Sequence, residues 1–199
     1  MRLELAALRE RPVQLNMLLA ILVNAATFCA FTYLAAIATG PARITEGAVP
    51  LLLVVFGGGA FFGVTVAGRF GDRYWHRLIN WSTPLLLAGW VLMSLTVTST
   101  AAFWLFTFLQ GIFSFTLGST LVARIVATAQ AAPTMGGSFA TAALNIGAII
   151  GPITGGAAIA AFGVRGPLAV SAVLVLIALV CWLVAVPLSR STAATNPLQ

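Results

Sequence analysis

Charge is nearly absent from this sequence. Of its 199 residues only 7% are Asp, Glu, Lys or Arg. A soluble domain carries charge at about a quarter of its positions, because charged side chains cover its surface. Lysine is missing altogether: all ten basic residues are Arg, set against four acids and one histidine, His76. So few titratable groups leave no metal-ligand spacing, no nucleophile beside a base and no phosphate-cradling loop. Neither metal nor cofactor is expected, and an enzyme is not. Cys29 and Cys181 both lie inside apolar runs and read as unpaired packing residues.

What is present is hydrocarbon. Apolar residues make up 60% of the chain and the mean hydropathy is +1.05. A helix that crosses a bilayer needs about 20 largely apolar residues, and six segments qualify, near 13–38, 48–68, 79–98, 101–123, 138–162 and 167–187. The expected fold class is an all-α membrane protein, a bundle of six transmembrane helices. It comprises an N-terminal segment 1–12, a transmembrane domain 13–187 and a polar tail 188–199 expected to be disordered. No cleavable signal segment is read at the N-terminus.

Arginine sets the orientation. With the N-terminus in the cytoplasm, Arg2, Arg9, Arg11, Arg69, Arg73, Arg77, Arg124 and Arg190 lie inside and only Arg43 and Arg165 outside. Basic residues favour the cytoplasmic loops, so both termini are expected there, in the cell (inner or plasma) membrane. A net charge of +6 would suggest nucleic acid in a soluble protein. Here the arginines are membrane anchors, and no nucleic-acid partner is expected.

Two motifs stand out. The first, Gly68-Arg69-Phe70-Gly71-Asp72-Arg73-Tyr74-Trp75-His76-Arg77, reads as a short cytoplasmic loop. Gly68 would let a helix end and the chain turn. Asp72 would cap the next helix, or pair with a neighbouring Arg or a facing helix N-terminus, making a latch of Gly68, Arg69, Asp72, Arg73 and Arg77; a solvated anchor loop is the plainer alternative. The second motif, Gly147-Ala148-Ile149-Ile150-Gly151-Pro152-Ile153-Thr154-Gly155-Gly156, lies in the fifth span. Gly147, Gly151 and Gly155 share a face and permit close helix approach, with Gly156 beside them. Pro152 removes a backbone donor and is expected to kink the helix.

Polar and aromatic residues at membrane depth are few. Asn24, Phe28 and Phe31 share one face of the first span, Gln110 and Ser114 share one in the fourth, and Asn145 lies in the fifth. These six are candidates to line a substrate cavity, with interhelical packing as the alternative for each. Trp75, Trp81, Trp104 and Trp182 read as interface anchors or lipid-facing bulk.

The loop motif resembles the G-x-x-x-D-R-x-x-x-R signature of the major facilitator superfamily, and the fifth-span string resembles the G-x-x-x-G-P-x-x-G-G pattern of its antiporters. Gln110-Gly111 matches the fourth-helix pattern of the N-terminal half, but Thr107 stands where that half carries Arg, and residues 13–38 lack its first-helix acid. The strings Ala25–Leu34, Phe62–Arg69 and Ala132–Asn145 are similar instead to the C-terminal half of proton-linked drug exporters, in wording closest to actinobacterial exporters that confer chloramphenicol resistance. Trp75 and His76 depart from the loop signature. The resemblance covers about Leu5 to Val186, which is one half of such a transporter, built as a 3+3 inverted repeat.

The resemblance implies a drug:proton antiporter acting on a small lipophilic drug such as chloramphenicol, here as its C-terminal half. The partners expected are the lipid bilayer, the small-molecule drug substrate, and a second six-helix half or a second copy of this chain. The alternative is a truncated, non-transporting remnant, or a membrane interaction partner of a full-length transporter.

Overall fold

The computed structural model describes residues 10–129 and 134–194, with side chains as far as residue 185. Arg2, Arg9, Ala132-Pro133 and the side chain of Arg190 lie outside the described residues. Every regular element is helical among those described: α1 (Arg11–Thr32), α2 (Leu34–Thr39), a 3₁₀ turn (Glu46–Ala48), α3 (Val49–Leu95), α4 (Thr100–Thr128), α5 (Gly136–Phe162) and α6 (Gly166–Ala194). Five of the helices are long and apolar enough to cross a membrane. α1 packs on α4, α5 and α6, and α3 packs on α4 and α6.

α3 is the departure from the expected layout. It joins the segments near 48–68 and 79–98 into 47 residues, about 70 Å of helix if straight and more than twice the hydrocarbon thickness. Its backbone leaves helical geometry only at Tyr74 (φ −122°, ψ 23°). Contacts with α4 show what happens there. Gly59 lies against the backbone of Phe108–Ile112, while the Gln110 carboxamide lies over Gly89 and donates to the Leu86 carbonyl (3.3 Å). Thirty residues separate Gly59 from Gly89, about 45 Å along a straight helix, yet both meet the same turns of α4. The chain therefore doubles back at Tyr74, midway between them, and α3 is two antiparallel arms.

This corrects the loop reading of residues 68–77. Gly68 does not end a helix and Asp72 does not cap one; both sit in helical backbone of the first arm. Little in the segment besides glycine opposes helix, so the chain turns at a single residue. Two smaller differences follow the same logic. The first span is interrupted at Tyr33 (φ −106°, ψ 12°), and α6 continues as helix to Ala194 through residues expected in the tail. Ser189–Ala194 contains neither Gly nor Pro, and extending an existing helix costs far less than starting one.

Close approach between helices depends on missing Cβ atoms. On α5, a Cβ at Gly147 would stand 2.7 Å from the Ile21 carbonyl oxygen, and one at Gly151 would stand 2.6 Å from that of Ala25. At Gly155 it would meet Tyr33 and the Cys29 carbonyl at 2.7 and 2.8 Å. Pro152 stays within a continuous α5, and its carbonyl accepts the Tyr33 hydroxyl at 2.9 Å. A second seam forms where Gly59 and Gly63 of α3 meet α4, with Gly111 facing back.

Candidate functional site: an aromatic cavity between four helices

The face of α1 that carries residues at i, i+3, i+4 and i+7 opens onto a cavity of about 340 Å³. Asn24, Thr27, Phe28 and Phe31 line it from α1, Phe56 from the first arm of α3, and Leu144 from α5. α4 closes it with Ser114, Phe115, Gly118 and Ser119. Four rings form a connected wall. Phe28 meets Phe31 edge-on at 6.3 Å, Phe31 lies 4.8 Å from Phe56, and Phe56 meets Phe115 edge-on at 6.0 Å. Such offset and edge-on pairs are the favoured aromatic geometries.

Polar groups are sparse and none is ionisable. Asn24 Nδ2 donates to the Leu144 carbonyl at 2.6 Å, tying α1 to α5 and leaving the side-chain oxygen as an acceptor. Thr27 donates to the Val23 carbonyl within its own helix (2.9 Å). Ser114 is 4% exposed and its hydroxyl has no partner, so it is an available donor and acceptor. The site is thus a mostly apolar chamber with a few orienting groups, the usual character of a small-molecule pocket.

Of the six candidates, Asn24, Phe28, Phe31 and Ser114 come together here. Gln110 does not line this cavity: it is 1% exposed and lies behind the Phe31–Phe56 pair. Asn145 is exposed on α5 and outside the cavity. Phe56, Phe115, Thr27 and Ser119 were not singled out by sequence. Thr27 follows from the Asn24 face by helical spacing, whereas Ser119, five residues and so about 140° around α4 from Ser114, stands one turn beyond Phe115, and Phe56 looks like any apolar residue of its span.

The arginine-rich motif surrounds the α3 turn. Gly68, Arg69, Asp72 and Arg73 close the first arm and Arg77 opens the second; all are exposed. Arg73 and Arg77 lie on the Tyr74 ring, 5.4 and 5.3 Å from its centroid. Next to the turn, the Arg124 guanidinium stacks 3.8 Å from the centre of Trp75. Trp182, 4% exposed, lies 6.2 Å from Trp75 and donates to Asn80 Oδ1 at 2.6 Å. Trp75 and Trp182 are therefore packing and hydrogen-bonding residues of the bundle rather than lipid-facing anchors, whereas Trp81 is 69% exposed. Among the described residues no group of three His, Cys, Asp or Glu stands close enough to hold a metal.

Comparison with known proteins agrees with this architecture. The family model of the Major Facilitator Superfamily matches residues 15–198. A chloramphenicol resistance protein of Streptomyces lividans is 46% identical over 198 residues, covering 99% of this chain and 50% of the relative. The chain spans about half the length of that relative. No solved structure matches significantly. An all-helical apolar bundle, two glycine seams and a family match over nearly its whole length lead to one assignment: this chain belongs to the major facilitator superfamily of membrane transporters.

Proposed function

We propose that the chain is the C-terminal half of a proton-coupled exporter of small, lipophilic, uncharged drugs, chloramphenicol among them. The observation that carries this reading is the aromatic cavity of about 340 Å³ with no charged lining. Rings supply apolar contact, while Asn24 and Ser114 supply orientation. A charged cargo would lie there without a counter-ion, at a high desolvation cost.

Export driven by protons needs a titratable group in the pathway. The cavity has none, so coupling belongs to a second six-helix half, supplied by a longer protein, a companion chain or a second copy. That assignment is in keeping with a relative of twice the length. The two bundles would rock about the midplane. Arg69, Asp72, Arg73 and Arg77 would gate from the cytoplasmic side of the α3 turn, the side favoured by their charge. The gate would work by contacts of an exposed Asp72 with the facing half, since its neighbours Arg73 and Arg77 already rest on Tyr74.

Half coverage of the relative also favours a second reading, a membrane-inserted remnant or interaction partner that moves nothing. One experiment separates the two. The chain is expressed in a pump-deficient bacterium, alone and with the N-terminal half of the Streptomyces relative, and susceptibility to chloramphenicol is measured. Resistance that Asp72→Asn abolishes supports transport. Unchanged susceptibility in every combination, with the chain present in the membrane, supports the remnant.

A further inference from the structure

The aromatic cavity has two distinct ends. Phe31 and Phe56 stand at one, where the pair also borders Leu34 of α2 and Thr107 and Gln110 of α4 across a narrow gap. α1 and α4 run antiparallel, because Asn16 near the start of α1 donates to the Thr128 hydroxyl at the end of α4 (3.5 Å). Val23 on α1 and Gly118, Ser119 and Val122 on α4 therefore line the opposite end. Aromatic rings crowd the first end and smaller side chains the second.

Gly118 brings no side chain to that lining, and packing does not explain why. α4 carries two glycines, Gly111 and Gly118. Their spacing of seven residues places them within about 20° of one face, two turns apart. A Cβ at Gly111 would collide with the Phe56 carbonyl and the Ala60 amide of α3, so the helix seam requires a glycine there. A Cβ at Gly118 would meet nothing within 4 Å. Glycine in a helix interior is less stable than alanine, because it gives up more backbone freedom on folding. Gly118 lies deep inside a 29-residue helix, so it carries that cost, and only the cavity gains from it. The missing side chain leaves a recess in the wall.

We propose that Gly118 determines which cargo the cavity admits. An elongated molecule lays an aromatic head against the Phe31–Phe56 end and extends a tail over Gly118, where any side chain would take the tail's place. Chloramphenicol, a nitrophenyl ring with a dichloroacetamide tail, has this form. Molecules too short to reach Gly118 are held by the rings and are indifferent to that position. This assignment rests on the drug-export reading above.

The test uses the full chain in lipid nanodiscs and calorimetric titration with two probes, chloramphenicol and its N-formyl analogue, whose tail is shorter. Gly118→Ala should raise Tm by about 1–4 °C, since its methyl group enters open space. The same variant should weaken chloramphenicol binding about tenfold and that of the formyl analogue less than about twofold. Gly118→Leu should extend the loss for chloramphenicol. Gly57→Ala also gains its Cβ in open space but lies outside the cavity lining, and it should leave both affinities as they are. Equal weakening of the two probes by Gly118→Ala, no weakening of either, or a lowered Tm overturns the assignment while the drug reading stands. If the wild-type chain binds neither probe, the drug reading fails and the assignment falls with it.

Discussion

At the residue scale, the cavity depends on which of its polar atoms are already committed. Asn24 spends its amide on the Leu144 carbonyl, so Asn24→Ala removes a link between α1 and α5 as well as an orienting oxygen. The expected cost is about 1 kcal/mol of stability, read as a lowered Tm in detergent. Tyr33→Phe loses a comparable bond to the Pro152 carbonyl without touching the cavity. If the cavity binds drug, Asn24→Ala weakens binding and Tyr33→Phe leaves it unchanged at a similar Tm. Helical spacing made the α1 face legible, because residues three and four apart must share a side. It left Gln110 and Asn145 unresolved, since spacing says which residues lie together and not which neighbour they meet. Gln110 shares a face with Ser114, yet the Phe31–Phe56 pair stands between it and the chamber.

At the element scale, glycine divides into two populations that sequence alone does not separate. Gly147, Gly151 and Gly155 lie against α1 backbone or the Tyr33 ring, whereas Gly57, Gly58, Gly68 and Gly71 face open space. Gly151→Val would force α1 and α5 apart, because a Cβ there meets the Ala25 carbonyl at 2.6 Å; a loss of about 1–3 kcal/mol is expected. Gly68→Ala has the opposite sign. Gly68 is helical and nothing lies near its Cβ position, so Ala should stabilise by about 0.5–1 kcal/mol through backbone entropy. Thermal unfolding of the two variants checks both, and a destabilised Gly68→Ala would restore the turn expected there. The fifth-span stripe was legible as a packing surface because its glycines recur every four residues. The helical course of residues 68–77 was not. Gly68, Gly71 and a charge cluster are ordinary loop signals, and only the tertiary contacts of both arms with α4 reveal that the reversal needs a single residue.

At the scale of the whole molecule, the fold-back of α3 decides how many times the chain crosses the bilayer and which side the arginine cluster faces. Because the arms double back at Tyr74, Glu46 and Thr98, which flank α3, should lie on one face of the membrane and Asp72 on the other. A straight α3 would hold Val49 and Leu95 about 70 Å apart, and the flanking Glu46 and Thr98 on opposite faces. Single cysteines introduced as Glu46→Cys, Asp72→Cys and Thr98→Cys, in a background with Cys29→Ala and Cys181→Ala, report the answer in intact cells. With an impermeant thiol reagent, Glu46→Cys and Thr98→Cys should label directly and Asp72→Cys only after permeabilisation. Labelling of Glu46→Cys and Thr98→Cys from opposite sides would remove the hairpin. The same three variants test a separate inference, since the arginine distribution puts Asp72 in the cytoplasm. Direct labelling of Asp72→Cys alone would keep the hairpin and invert the bundle. The proposed gate would then face away from the cytoplasm, and the arginine cluster would act in packing, through the rings of Tyr74 and Trp75 against which Arg73, Arg77 and Arg124 already lie.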